Sequence, residues 1–91
     1  MERVRWRFFG RVQGVGFRAF CQREASERGI LGWVRNEPDG SVLAEAEGPP
    51  ASLDGLLARL QTAHPWARVE RVDAVRCSAG GARDHGFDIA G

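Results

Sequence analysis

The spacing of apolar residues along this chain switches repeatedly between two and about three and a half, and the order of the switches is what most restricts the fold. Arg3 to Phe9 alternate, with Val4, Trp6 and Phe8 on one side and Arg3, Arg5 and Arg7 on the other. That period predicts a strand with one buried face. Gly10, Gly14 and Gly16 break it. Phe17, Phe20, Cys21 and Ala25 then recur at helical spacing, with Arg23 and Glu27 as an i,i+4 pair on the wet side and Gly29 as the stop. Leu31 to Asn36 reads as a short strand, and Pro38-Asp39-Gly40 as a turn in which Pro presets φ and Gly accepts a positive one. Val42, Ala44 and Ala46 alternate with Leu43, Glu45 and Glu47 on the way back, which makes a hairpin. Pro49 and Pro50 suit the first turn of a helix striped by Leu53, Leu56, Leu57 and Leu60, ended by His64-Pro65. Arg68 to Cys77 is a strand of open register, because Val69, Val72 and Val75 do not alternate; a bulge would account for that. Ser78 to His85 reads as a loop, and Phe87 and Ile89 as a short last strand.

The resulting order is βαββαβ plus a short extra C-terminal strand. The expected class is α+β: a ferredoxin-like sandwich with two helices on one face of an antiparallel sheet. A chain of 91 residues suits one domain, here residues 1–91. In this topology strands one and two are parallel with strand three between them. The loop after strand one and the end of strand two then open on the same sheet edge, roughly 10 Å apart at a strand spacing of about 4.8 Å. Side chains can bridge that gap around a phosphate.

The segment that opens there is Gly10-Arg11-Val12-Gln13-Gly14-Val15-Gly16-Phe17-Arg18. Two glycines one residue apart, just before a helix, let successive N–H groups turn inward as a nest that attracts an anion. Arg18 adds a planar fork that matches a phosphate. On spacing alone a plain strand-to-helix turn stays open. So does a dinucleotide turn, since Gly14 to Ala19 fits GxGxx(G/A) with Asp39 downstream. The hairpin that follows and the little chain left argue against a doubly wound sheet, and no Gly-Lys-Ser/Thr marks a Walker loop. The element order also suits an RNA-recognition domain, but Val42 to Glu47 is acidic and carries no aromatic platform.

The blocks Gly10 to Arg18, Gly32-Trp33-Val34-Arg35-Asn36 and Pro38-Asp39-Gly40-Ser41-Val42 together resemble the acylphosphatase family. The likeness continues through Ala46-Glu47-Gly48, Ala67-Arg68-Val69 and Gly86-Phe87. The resemblance implies hydrolysis of the carboxyl–phosphate anhydride of small acyl phosphates to carboxylate and phosphate, without metal or cofactor. It implies Arg18 and Asn36 as the catalytic residues. Arg18 would bind the phosphoryl group beside the amides of Gln13, Gly14, Val15, Gly16 and Phe17, and Asn36 would position the attacking water. The chemistry fits. A carboxylate with a pKa of about 4 to 5 leaves without a general acid, so catalysis reduces to holding the phosphoryl oxygens and aligning one water. A phosphate oxygen of the substrate is the expected proton acceptor, because a guanidinium has no room for a further proton.

The remaining features are assigned more plainly. A net charge of +1, with Arg as the sole basic side chain beside two His, argues against a polyanion binder. The N-terminus leads straight into an alternating segment, so neither a signal peptide nor a membrane span is expected. Cys21 and Cys77 stand apart without a CxxC and are expected as free thiols in a reducing, cytoplasmic setting, with no metal site. His64 and His85 are assigned to solvated loops, Glu37 and Asp39 to the turn, Trp33 to packing, and Arg35 to the face away from Val34 and Asn36. Arg11 would raise the potential near the site, and Trp66 is left without a function. The related domain of hydrogenase-maturation carbamoyltransferases often has Pro after the catalytic Arg, where this chain has Ala19. A free-standing monomeric enzyme without nucleic-acid or membrane partners is therefore expected. A non-catalytic phosphate- or partner-binding domain is the rival that turnover would separate.

Overall fold

The computed structural model describes residues 1–79 and 84–91. The elements are β1 (Glu2–Arg11), α1 (Phe17–Glu27), β2 (Leu31–Asn36), β3 (Val42–Gly48), α2 (Pro50–Thr62), β4 (Arg68–Cys77) and β5 (Phe87–Ile89). They form one five-stranded sheet in the order β4-β1-β3-β2-β5. β1 and β2 each pair antiparallel with β3 and so run parallel to each other across it, as the topology requires. The fold is the expected ferredoxin-like α+β arrangement, with one refinement. β5 pairs in parallel with β2, Val34 opposite Ile89, so the sheet is mixed at that edge. Hydrogen bonds from the Gly32 N–H to the Gly86 carbonyl and from the Ala90 N–H to the Val34 carbonyl hold the short strand there.

The alternating side chains sort as the sequence dictates. Trp6 and Phe8 of β1, Val34 of β2, and Val42, Ala44 and Ala46 of β3 pack with Phe17, Phe20, Leu53, Leu56 and Leu60 of the helices in one core. α1 lies over β2 and β5, and α2 over β3 and β4. The other sheet face is ionic. Arg3, only 3% exposed, donates from Nε to Glu45 at 2.7 Å and from Nη1 to Asp84 at 2.6 Å. Arg5 also donates to Glu45, and Arg7 reaches Ser41 Oγ at 3.0 Å. The arginine stripe of β1 is therefore a lattice of paired charges, with Arg3 at its buried centre.

Two local expectations change, and the bulge expected in the last long strand is found. Gly10 does not end β1; the strand continues to Arg11. A Cβ on Gly10 would lie 2.2 Å from the Arg68 carbonyl oxygen and 2.9 Å from the Glu70 nitrogen, so β4 can approach only a glycine there. At this point the β1–β4 register shifts, because Phe9 faces Arg71 and Gly10 faces Val69, leaving Glu70 as the extra residue of a bulge. The bulge also accounts for the three valines. Val69 and Val72 fall on the core face on either side of it, while Val75 falls on the opposite face and is exposed. Finally, Arg23 lies over the Phe20 ring at 5.4 Å instead of pairing with Glu27. The ion pairs of α1 run from buried Glu24 to Arg28 and Arg59, both at 3.0 Å. Cys21 and Cys77 are free thiols, as expected, and burial pushes the Cys21 thiol well up. Of the Ser78–His85 loop, residues 80–83 lie outside the described residues.

Candidate active site

The site forms where β1 hands over to α1. Gly14 (φ 75°) and Gly16 (φ 78°) both sit in the left-handed region, with no other residue type at positive φ anywhere among the described residues. This alternation curls the chain so that Gly16 becomes the residue before the first turn of α1, without a side-chain cap. Its carbonyl accepts from the Phe20 N–H at 3.1 Å, the first bond of the helix. Among the described residues, the backbone N–H groups of residues 13 to 19 have no acceptor. A run of unpartnered donors at the positive end of a helix is a ready anion site.

A cavity of about 190 Å³ opens against this loop, lined by Val12, Gly14, Gly16, Phe17, Arg18, Ala19, Asn36 and Ile89. Arg18 and Asn36, distant in sequence, thus face one space. Arg18 is braced by a hydrogen bond from Nη1 to the Gly91 carbonyl oxygen. Asn36 ends β2 on the same face as Val34, and its Oδ1 is buried with no hydrogen-bond partner among the described residues. A buried amide oxygen without a donor is a site for a polar hydrogen to be received.

The other candidates separate by what their side chains touch. Phe17 is 1% exposed and points into the core, edge-on to Phe8 at 5.2 Å, so its N–H is the group at the site. Val15 also packs its side chain on the core and is not among the cavity-lining residues. Gln13 does not line the cavity either; its Nε2 donates to the carbonyls of Glu37 at 2.8 Å and Ser41 at 2.9 Å. The sequence reading missed this clamp, and also Val12, Ala19 and Ile89 in the lining. Ile89 is there because β5 pairs in parallel with β2 and sets it opposite Val34, a pairing that the pattern of Phe87 and Ile89 does not announce.

Glu37 and Asp39 are turn residues as expected. Glu37 pairs with Arg35 at 2.9 Å and with Arg7 at 3.3 Å. Asp39 accepts from both the N–H and the hydroxyl of Ser41, which hold its carboxyl below the usual range. Arg35 lies over the Trp33 ring at 5.0 Å, away from the cavity. His64 departs from its assignment as a free surface residue. Its ring packs edge-on against Phe20 at 5.1 Å and Phe17 at 6.4 Å, and its Nε2 is the nearest atom to where a Gly16 Cβ would stand, at 3.9 Å. Among the described residues no group of three His, Cys, Asp or Glu side chains could hold a metal ion, and no helix is long and apolar enough to cross a membrane.

The ferredoxin-like domain thus sets an amide nest, the Arg18 fork and the buried Asn36 Oδ1 around one cavity. Comparison with known proteins gives the family. The family model for acylphosphatase matches residues 4–89. An acylphosphatase of Salinibacter ruber is 53% identical over 72 residues, covering 79% of this chain and 76% of that protein. One of Synechococcus sp. strain CC9902 is also 53% identical over 72 residues, and there the match spans 62% of the relative's length. Among solved structures, the acylphosphatase of Bacillus subtilis superposes with a TM-score of 0.90 at 38% identity, covering 98% of both chains. The chain belongs to the acylphosphatase family.

Proposed function

We propose that this chain hydrolyses small acyl phosphates by attack of a water held at Asn36 on a phosphoryl group held by the loop and Arg18. The observation that carries this reading is the convergence on one cavity of unpartnered loop amides, the Arg18 fork and the unpaired Asn36 Oδ1. Amides of residues 13 to 17 take the phosphoryl oxygens. They are already oriented by the glycine turns, so little reorganisation accompanies charge development in the transition state. Arg18 supplies the positive charge and a second, planar set of donors.

The attacking water donates one hydrogen to Asn36 Oδ1, which leaves an oxygen lone pair aimed at phosphorus. The P–O bond to the acyl oxygen breaks as the new P–O bond forms, and the carboxylate departs with the bonding electrons. The water's proton passes to a phosphoryl oxygen of the substrate. Neither Arg18 nor Asn36 takes it, since a guanidinium and an amide are both poor bases. Family membership supports acyl phosphates as the substrate class. The cytoplasm and a monomeric state belong to the same proposal.

Turnover of benzoyl phosphate, followed by loss of substrate absorbance, tests the reading. Wild-type protein hydrolyses it, and Arg18→Lys, which keeps the charge and loses the fork, is slower by on the order of a hundredfold. Phosphate binding without hydrolysis by the wild type would overturn the reading in favour of a non-catalytic binding domain.

A further inference from the structure

Two features lie just outside the cavity and are not used by the chemistry above. Trp66 is 72% exposed, and its ring stands edge-on to His64 with centroids 6.1 Å apart. His64 Nδ1 accepts from the backbone N–H groups of Trp66 at 3.1 Å and Ala67 at 3.0 Å. A ring nitrogen that accepts carries no hydrogen, so the ring's N–H is at Nε2. Nε2 is the atom turned toward Gly16, and it donates to no acceptor among the described residues. Phe17 and Phe20 pack edge-on against the imidazole and fix its plane.

The direction of the reaction gives this pair a place. In phosphoryl transfer the leaving group departs in line with, and opposite to, the attacking water. Asn36 ends β2, whereas the His64–Trp66 turn leads into β4, and the sheet order puts β2 and β4 on opposite sides of β1, from which the phosphate loop springs. Gly16 and Trp66 are exposed and His64, which adjoins both, is half-buried.

We infer that the acyl half of the substrate lies across Gly16 against His64 and Trp66, a proposal that rests on the reading of Asn36 and the loop given above. The Nε2–H of His64 donates to the carboxylate as it forms, and the indole provides a flat apolar surface for the acyl group. The subsite favours acyl phosphates with an aromatic or otherwise bulky acyl group over acetyl phosphate. A Cβ at position 16 would stand 3.9 Å from Nε2, in the space this pose gives to the acyl group, so the glycine serves the pose as well as turning the chain.

The test compares kcat/KM for benzoyl phosphate and acetyl phosphate, with inhibition by inorganic phosphate measured alongside. In Trp66→Ala the benzoyl-to-acetyl ratio falls about tenfold, and Trp66→Phe restores most of it. In His64→Asn the side-chain oxygen still accepts the turn N–H groups while the Nε2 donor is gone, and kcat/KM falls about tenfold on both substrates. Inorganic phosphate, which has no acyl group, inhibits all forms alike. A ratio within twofold of wild type in Trp66→Ala, or unchanged constants in His64→Asn, overturns the role of that side chain. Wild-type protein that turns over neither substrate overturns the catalytic reading beneath, and the subsite with it; turnover with an unmoved ratio overturns the subsite alone.

Discussion

The side-chain amide of Gln13 donates to the backbone carbonyl of Glu37 at 2.8 Å, tying the middle of the glycine loop to the residue that follows Asn36. A second bond, to the Ser41 carbonyl at 2.9 Å, spans the hairpin turn. One side chain thus fixes the distance between the part of the site that would hold the phosphoryl group and the part that would hold the water. Correct spacing of the two is most of what catalysis requires here.

Gln13→Ala should therefore slow turnover by more than its effect on stability suggests. Both carbonyls keep a second donor, the Glu37 N–H on Ser41 and the Gly40 N–H on Glu37. Loss of the clamp then costs about 1 kcal/mol of stability, while kcat falls about tenfold. Urea unfolding and initial rates on benzoyl phosphate measure the two separately, and a rate loss no larger than the stability loss explains would contradict the clamp.

Gly10→Ala should abolish folding at ordinary temperature. The added carbon would overlap the Arg68 carbonyl oxygen at 2.2 Å, and φ of 125° disfavours any side chain. Relieving that clash means separating β1 from β4 at the bulge, a loss of several kcal/mol against a total stability of about 5 to 15 kcal/mol. The expected readout is loss of the cooperative thermal transition; a melting temperature within a few degrees of wild type would show that the bulge yields.

Glu24 makes stability depend on acid pH. Its side chain accepts from Arg59 and Arg28, and the Arg59 hydrogen bond foremost holds its carboxyl below the ordinary 4.5. A carboxyl depressed in the folded state contributes stability that is present above the unfolded pKa and lost as pH falls through the folded one. Unfolding free energy should decline as pH is lowered below about 4.5, and Glu24→Gln should flatten that part of the profile. An identical slope in the variant would assign the acid sensitivity elsewhere, to Glu45 between Arg3 and Arg5 or to Asp39, which are also held low.

The parts of this molecule legible in its sequence are those set by local periodicity. Alternation placed Asn36 on the face of Val34 and turned Arg35 away, and the structure agrees for both. The glycine pattern around Val15 announced a loop that must turn, and both glycines there have positive φ. What local pattern could not carry is contact between segments far apart in the chain. The clamp of Gln13 depends on carbonyls of a hairpin whose position only the folded sheet supplies. His64 reads as a loop histidine until the end of α2 is packed against the first turn of α1. Gly10 looked like a strand end because glycine usually breaks a strand, whereas here the neighbouring bulge demands it.

The central claim, that the loop and Arg18 hold the phosphate while Asn36 holds the water, is tested most directly by Asn36→Ala. The account predicts that kcat on benzoyl phosphate falls by on the order of a hundredfold or more, with the inhibition constant for inorganic phosphate within about twofold of wild type. A variant that turns over at the wild-type rate, or one that loses phosphate inhibition in step with its activity, would contradict it.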